Sequence, residues 1–332
     1  MATHATLPTV SPGASPTLSM LLDDELAFSP SFLGRYSNHL AMALVALEQL
    51  GAGPDVLVAT FDAHARGEHE RRDDRPALDA LIAGVARDGI AATVQARAAG
   101  LVDAPATALF HPLIRLAYAL DVGHVGQVAA ALLDWERRRH VLPLPPPVTG
   151  QRRLADVAAE LAAHPAGTWP ASFDLDGLAR RPELRVALRG VALDEHTLDD
   201  VSGFAIAAHV AADEFVTLHL VTGARAVRTL SEWLDADTAA RLAGHTVGAM
   251  AVGYAAVGAP RLLDDAELAA LRSVRLPAAE EIAERAVADH DPHVIKLANV
   301  ALVEEQRTSD PLYRFAAARV VSAVAPAREL IT

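Results

Sequence analysis

The chain has 332 residues, of which 52% are hydrophobic, and a formal net charge of −13, so its length allows one large domain or two ordinary ones. It has no cysteine, which excludes disulfides, thiolate metal sites, iron–sulfur clusters and cysteine nucleophiles, and its acidic charge argues against nucleic-acid binding. No apolar run reaches the roughly 18–20 residues of a membrane span, and no secretory signal is recognisable, so we expect a cytoplasmic protein without a membrane partner.

The N-terminal half is helical in character. Residues 1–17 are rich in Thr, Ser, Pro and Ala and predict a flexible tail, so this half spans 18–140. Alanine and leucine dominate, and β-branched alternation over strand lengths is scarce. In the sixth helix Pro112 marks the start of the regular part and leaves His111 near the N-cap. The predicted helices are 19–26, 37–50, 55–64, 77–86, 91–99, 105–120 and 125–139.

A proline-rich connection at 141–150 separates this half from the second one, 151–332, within one functional domain. The second half is again dominated by helical patterns. Its predicted helices are 153–162, 176–180, 197–212, 237–256, 265–272, 278–289 and 311–324, with further apolar helices around His219 and from Asp291 onward. The sequence therefore predicts an all-α fold, a multi-helix bundle of stacked helix pairs.

Lys296 is the only lysine of the chain. Asp291 is a good N-cap and Pro292 a good first helical residue, so His293 and Lys296 lie one turn apart on one helix face. The surrounding residues are strongly apolar, which disfavours the charged form of the amine and makes a neutral, nucleophilic lysine plausible. The alternative is a lysine at the edge of the core that extends its amine to solvent.

Four of the 14 histidines lie within or beside apolar helices: His39, His111, His219 and His293. A buried histidine needs hydrogen-bond partners or a metal, and for any single one a core role is the more common case. Four of them with an isolated lysine favour a shared metal site, which we expect between the halves.

Imidazoles with one oxygen donor suit non-haem iron, with manganese or copper as alternatives. Glu304 and Glu305 lie about three turns beyond His293, too far to supply that oxygen. A neutral Lys296 can add CO₂ and become a carbamate, and its spacing to His293 then mimics the Glu-x-x-His pattern of helical di-iron proteins in reverse order.

The segments around these residues resemble the questin oxidase family. The resemblance covers roughly residues 20–325, and none of its motifs would suffice alone. The matching segments are 38–44 (NHLAMAL), 110–119 (FHPLIRLAYA), 218–223 (LHLVTG), 293–297 (HVIKL) and 310–314 (DPLYR). Two positions depart from the family pattern: Ala41 stands where proline is usual, and Arg225 stands where a second histidine is frequent.

This resemblance implies an enzyme that uses O₂ to open a ring of an anthraquinone-type aromatic polyketide. It also implies iron(II) held by four histidines and a carboxylated lysine, carried here by His39, His111, His219, His293 and Lys296. If the histidine replaced by Arg225 were the family's ligand in place of the one matching His219, the site would be incomplete. We favour His219.

Arg115 and Tyr118 lie within two turns of His111, so they are candidates to orient a phenolate or quinone oxygen of the substrate. For Arg115 the alternative is an ion pair inside the bundle. Two other function classes compete with the oxygenase. One is a non-catalytic binding or accessory protein of secondary metabolism that holds no metal. The other is a metal-free Baeyer–Villiger-type oxidase that uses NADPH or an external flavin, which the lack of a nucleotide-binding fingerprint argues against.

Overall fold

The computed structural model describes residues 13–32, 36–66, 70–145, 150–165 and 167–330. Within these ranges it is an all-α multi-helix bundle, which confirms the predicted fold class, and its one sheet is an antiparallel pair of two-residue strands, β1 (Ser31–Phe32) and β2 (Tyr36–Ser37). The helices are α1 (Pro16–Glu25), α2 (Leu40–Gln49), α3 (Pro54–Ala65), α4 (Arg75–Asp88), α5 (Ile90–Ala98), α6 (His111–Asp121), α7 (Val125–Arg138), α8 (Leu154–Ala162), α9 (Leu175–Ala179), α10 (Pro182–Ala187), α11 (Thr197–Ala212), α12 (Phe215–Ser231), α13 (Ala236–Ala256), α14 (Asp265–Arg272), α15 (Ala279–Val287), α16 (Pro292–Thr308), α17 (Pro311–Val320) and α18 (Ala327–Leu330). None of these helices is long and apolar enough to cross a membrane.

Several helices begin where the sequence predicts. At the start of α16 the side chain of Asp291 accepts a hydrogen bond from the backbone N–H of His293, and Pro292 is the first helical residue. This arrangement satisfies a backbone donor that the helix itself leaves free, and the fixed φ of proline suits the first turn. The predicted N-cap of the His293 helix is therefore confirmed.

The segment predicted as a helix at 105–120 is helical only from His111, which agrees with the regular part predicted to start at Pro112 and not with the earlier start at 105. The preceding residues form turns, and Ala108, Leu109 and Phe110 have positive φ angles of 48°, 54° and 66°. Non-glycine residues rarely adopt this left-handed region, so three in succession cannot be read from residue preferences. Gly223 of α12 accommodates the turn, since a Cβ there would lie 2.8 Å from Cγ of Phe110.

The predicted tail, 1–17, is only partly covered, since residues 1–12 lie outside the described ranges and α1 already begins at Pro16. Of the proline-rich connection, residues 141–145 form neither helix nor strand, and 146–149 lie outside the described ranges. The five-residue helix predicted at 176–180 is found as α9, whereas the short helices α10 and α18 and the pair β1–β2 were not predicted, because so few residues show little hydrophobic periodicity.

Four helices form a closed ring at the centre of the bundle. α2 packs against α6, α6 against α12, α12 against α16, and α16 back against α2. Two of these helices precede the proline-rich connection and two follow it. The ring therefore joins the two halves of the chain.

Candidate metal centre

Each helix of the ring contributes one histidine at or near its N-terminal end. His39 is the N-cap of α2, His111 is the first residue of α6, and His293 is the second residue of α16. His219 follows one turn after the start of α12. The structure thus brings together all four histidines singled out in the sequence, with Lys296 one turn after His293.

The imidazole nitrogens lie within contact distance of one another. His39 Nε2 is 2.8 Å from His111 Nε2, and His219 Nε2 is 3.2 Å from the same atom. The ligand atoms of His39, His111 and His293 all lie within 4.8 Å of one another, so these three could hold a metal ion. His219 joins the group through its contact with His111, and its ring centroid is 5.4 Å from that of His293.

Three of the four imidazoles are fixed from behind by a hydrogen-bond acceptor. His219 Nδ1 donates to the carbonyl of Phe215 at 2.8 Å, His111 Nδ1 donates to the carbonyl of Ala108, and His293 Nδ1 donates to Asp291 at 3.0 Å. A neutral imidazole carries one proton, so a proton on Nδ1 leaves a lone pair on Nε2. Metal-binding histidines are typically held in this way.

The Nε2 lone pairs cannot all be satisfied by hydrogen bonds within the cluster, whereas a cation could accept them. His39 can donate from Nε2 to His111, but His219 Nε2 and His111 Nε2 are then two acceptors that face each other. His293 Nε2 is buried and has no hydrogen-bond partner among the described residues. Buried polar atoms are normally paired, so two unsatisfied nitrogens in one cluster indicate a missing positive partner. The donor set therefore fits a metal ion.

Burial favours the neutral form of these groups. Burial lowers the pKa of His39, His111 and His219 well below the usual histidine value, and charge repulsion from neighbouring cluster groups lowers it further. Burial also lowers the pKa of Lys296 to about 7, against a raising effect of Asp291. The imidazoles are thus in the form that binds metals, and a large fraction of the lysine is a free amine near neutral pH.

Lys296 is fully buried, and the one hydrogen-bond contact described for its amine is with His39 Nδ1, at 3.3 Å. The two glutamates further along α16 are engaged elsewhere: Glu304 pairs with Arg225 and Arg307, and Glu305 pairs with Arg314. The expectation that neither glutamate supplies an oxygen ligand agrees with this placement.

Arg115 and Tyr118 are buried and have protein partners. Arg115 Nη2 donates to Glu25 and to the carbonyl of Asn38, both at 3.1 Å, which is the ion pair considered as the alternative in the sequence. Tyr118 donates to Asn299 at 3.0 Å, beside a cavity of about 10 Å³ that has room for about one water molecule. A direct substrate contact by either residue stays a prediction, and their observed contacts suit a positioning role.

An exposed aromatic rim adjoins the cluster and was not identified in the sequence. Phe215 is 44% exposed, and the centroid of its ring lies 4.4 Å from that of His219 and 5.1 Å from that of His293. Phe173 is 71% exposed and contacts Phe215 at 6.4 Å. The signal available in the sequence was the spacing, since Phe215 and His219 lie one turn apart on one helix.

Arg225 lies on the same helix as His219 but outside the cluster. Its guanidinium donates to both carboxylate oxygens of Asp121, at 3.1 and 3.2 Å. The position that departs from the family pattern is therefore occupied by a partly buried ion pair, and the histidine that faces His111 is His219. Ala41 is buried in α2, two residues after His39.

His209 is a buried histidine outside the cluster, in addition to His124, and its apolar surroundings in the helix predicted at 197–212 are the signal that could have separated it from the exposed histidines. Its Nδ1 contacts Thr217 Oγ1 at 3.1 Å, and Asp213 is 4.0 Å from Nε2. Burial lowers its pKa to about 4, against the raising effect of Asp213. His209 is thus a core histidine with protein partners, and it serves as an internal reference for the four in the cluster.

The depressed pKa of His209 predicts an acid-dependent loss of stability. Between its folded pKa of about 4 and its ordinary value, the unfolded chain binds the proton more readily, so the stabilisation is complete above the ordinary value and declines as the pH falls. We expect His209→Gln to reduce the loss in unfolding free energy between about pH 7 and about pH 5 by about 2 kcal/mol. Urea denaturation at both pH values measures this, and parallel losses in the two proteins would contradict it.

No protein-family model and no curated protein matches this chain. The functional conclusion therefore depends on the residues themselves: the four histidines, the single lysine and the segments around them.

Proposed function

We propose that this protein is a non-haem iron-dependent oxygenase of the questin oxidase type. One observation carries the proposal: four neutral imidazoles and the only lysine of the chain converge on one buried point, where two nitrogen lone pairs lack a partner. The resemblance of the five sequence segments supplies the reaction. That reaction is the insertion of oxygen from O₂ and the cleavage of a carbon–carbon bond in an aromatic, anthraquinone-type polyketide.

The residues that would hold the metal are His39, His111, His219 and His293, with an oxygen donor on Lys296. Imidazole nitrogens suit several divalent transition metals, and an additional anionic oxygen favours non-haem iron. Iron(II) in this position would supply the redox chemistry that O₂ requires. The acceptors behind His111, His219 and His293 hold each ring in the orientation that directs Nε2 inward.

A carbamate on Lys296 would give the cluster its missing anion. The free amine adds CO₂, so that nitrogen gains a bond to carbon and releases one proton. Two features favour the product. A divalent ion among four neutral imidazoles is a buried charge that needs compensation. In addition, four helix N-termini converge on the cluster, and the partial positive charge of a helix N-terminus stabilises an anion.

The substrate would approach over the exposed aromatic rim. Phe215 and Phe173 expose their rings to solvent, while the side chain of His293 beneath them is 23% exposed. Adjoining apolar rings in contact with a polar site are typical of a surface that binds a flat, apolar ligand. Phe215 would therefore hold an aromatic ring beside the imidazoles and keep water away from that side.

Phe215→Ala should weaken ring binding without loss of the fold, because Phe215 is partly exposed at the start of α12. For the neutral fluorescent probe naphthalene-2-methanol we expect about a two- to tenfold higher Kd, the equivalent of one aromatic contact. Fluorescence anisotropy measures the Kd on metal-free protein. Phe215→Tyr should bind like the parent, and so should Met20→Ala, which removes an exposed side chain of α1. Equal affinity in Phe215→Ala would contradict the role of the rim.

The metal content of untagged protein, purified without added metal, tests the proposal. Elemental mass spectrometry should find near-stoichiometric iron, and metal-free protein supplied with iron(II) and bicarbonate should take it up again. A well-folded protein that stays empty under these conditions would overturn the oxygenase proposal and favour a non-catalytic binding protein. O₂ consumption that depends on NADPH in the metal-free protein would favour the metal-free oxidase.

A further inference from the structure

A buried carboxylate connects the elements that carry two of the histidines. Glu25, at the end of α1, is fully buried, and its Oε1 accepts hydrogen bonds from Asn38 Nδ2 and Arg115 Nη2, both at 3.1 Å. Its Oε2 accepts a hydrogen bond from Gln127 Nε2 at 2.8 Å. Partners from three other parts of the chain thus meet at one side chain, which has no direct contact with the cluster.

Two of these partners lie next to proposed metal ligands. Asn38 directly precedes His39, and Arg115 lies one turn after His111 on α6. The same Nη2 of Arg115 also donates to the backbone carbonyl of Asn38 at 3.1 Å. The peptide that carries His39 is therefore joined to the helix that carries His111, and Glu25 holds both sides of that junction.

This network is poorly suited to a purely stabilising role. The side chains of Arg115 and Glu25 are 3% and 0% exposed, so both charges lose their hydration. Arg115 Nη1 and Gln127 Oε1 are buried without a hydrogen-bond partner in the described part of the chain. Apolar replacements of buried ion pairs are often neutral or stabilising, so a network of this kind calls for another explanation.

We propose that Glu25 is a positioning residue for the metal centre. Through Asn38 and Arg115 it fixes His39 against His111, so that the two Nε2 atoms, 2.8 Å apart, face the same ion. The inference rests on the proposed function only in requiring that the cluster binds a metal. It assigns a role to Glu25 that is independent of the substrate and of the reaction.

Asp74 provides a matched control. Its carboxylate is also buried and pairs with Arg72 at 3.0 Å, with side-chain exposures of 6% and 1%. Neither residue of this pair hydrogen-bonds to a histidine of the cluster, to Asn38 or to Arg115, and Arg72 interacts with Glu25 and Arg115 only through longer-range charge effects. Glu25→Gln and Asp74→Asn make the same isosteric change from carboxylate to amide, so both should destabilise the fold, and only the first should alter the metal centre.

Cobalt(II) binding to the full-length protein in bicarbonate buffer tests the inference, because the visible d–d bands of cobalt report its coordination geometry. We expect Glu25→Gln to shift these bands and to lower cobalt affinity about tenfold, the effect of losing an outer partner of a ligand. Asp74→Asn should keep the parent spectrum and affinity, and thermal unfolding of both variants measures the structural effect separately. Glu25→Asp keeps the charge and retracts it by one methylene, so it should shift the bands in the same direction if Glu25→Gln does not fold.

Two results would overturn the positioning role. One is a cobalt spectrum and a cobalt affinity of Glu25→Gln that equal those of the parent protein. If only Glu25→Asp folds, the same comparison applies to that variant. The other is an equal shift in Asp74→Asn, which would mean that any buried ion pair has this effect. A parent protein that binds no cobalt overturns the metal-site proposal itself and the positioning role with it, so the two failures are distinguishable.

Discussion

Lys296→Met should abolish the proposed iron binding and keep the fold. Methionine has nearly the length of lysine and suits the fully buried position, and it removes an amine whose pKa burial lowers to about 7. The metal-free variant should therefore unfold at the same temperature as the metal-free parent or higher. Iron per chain should fall at least about tenfold, since even outer partners of metal ligands have effects of this size. Elemental mass spectrometry and calorimetry on the same preparations measure the two quantities.

Lys296→Arg tests whether iron binding requires the carbamate or only a basic side chain at this position. Arginine keeps a cation at this position but cannot add CO₂ under these conditions, so this variant should also lack iron. As a control, removal of CO₂ and bicarbonate from the buffer should lower iron uptake by the parent. The low iron content of Lys296→Met should not change. A Lys296→Arg protein that retains iron and consumes O₂ with an anthraquinone-type substrate would contradict the carbamate proposal.

His111→Gln should have the largest effect among the histidine variants. His111 Nε2 lies between the corresponding atoms of His39 and His219, at 2.8 and 3.2 Å, so its loss removes the centre of the cluster. We expect metal affinity to fall at least about 100-fold, at the upper end of what an outer partner alone produces. Competition with a chromophoric chelator for cobalt(II) measures it.

His209→Gln is the matched control for this experiment. Both histidines are buried in helices of the same bundle, but His209 contacts Thr217 and Asp213 and lies outside the metal cluster. Its substitution should therefore affect stability and leave metal affinity within about twofold, the usual limit for changes that do not couple to a site. A parallel loss of affinity in both variants would show that general destabilisation, not ligand loss, empties the centre.

The sequence was sufficient for the fold class and for the members of the cluster. Helical periodicity and caps depend on local residue types, so the helix that begins after Asp291 could be predicted from its own residues. His39, His111, His219 and His293 were recognisable because polar imidazoles in apolar helices require a partner. Lys296 was recognisable because the chain has no other lysine.

The supporting residues could not be predicted in the same way. Glu25 closes an otherwise ordinary amphipathic helix, and its complete burial depends on Asn38, Arg115 and Gln127, which lie far away in the sequence. The turn before His111 depends on three left-handed residues that no local preference indicates. Phe215 differs from other phenylalanines only through its tertiary surroundings. Such roles depend on tertiary contacts between segments that are distant in sequence, and the local sequence around each residue does not indicate those contacts.

The closed ring of four helices has a consequence during protein synthesis. His39 and Lys296, which lie 3.3 Å apart in the folded chain, are separated by 257 residues in sequence. At a ribosomal rate of about 5–20 residues per second, the lysine follows the first histidine by roughly 13–50 s. A nascent chain thus presents His39 and His111 well before it can offer the complete set of ligands. The complete set of side chains proposed to hold the metal is therefore present only after nearly the whole chain has been synthesised.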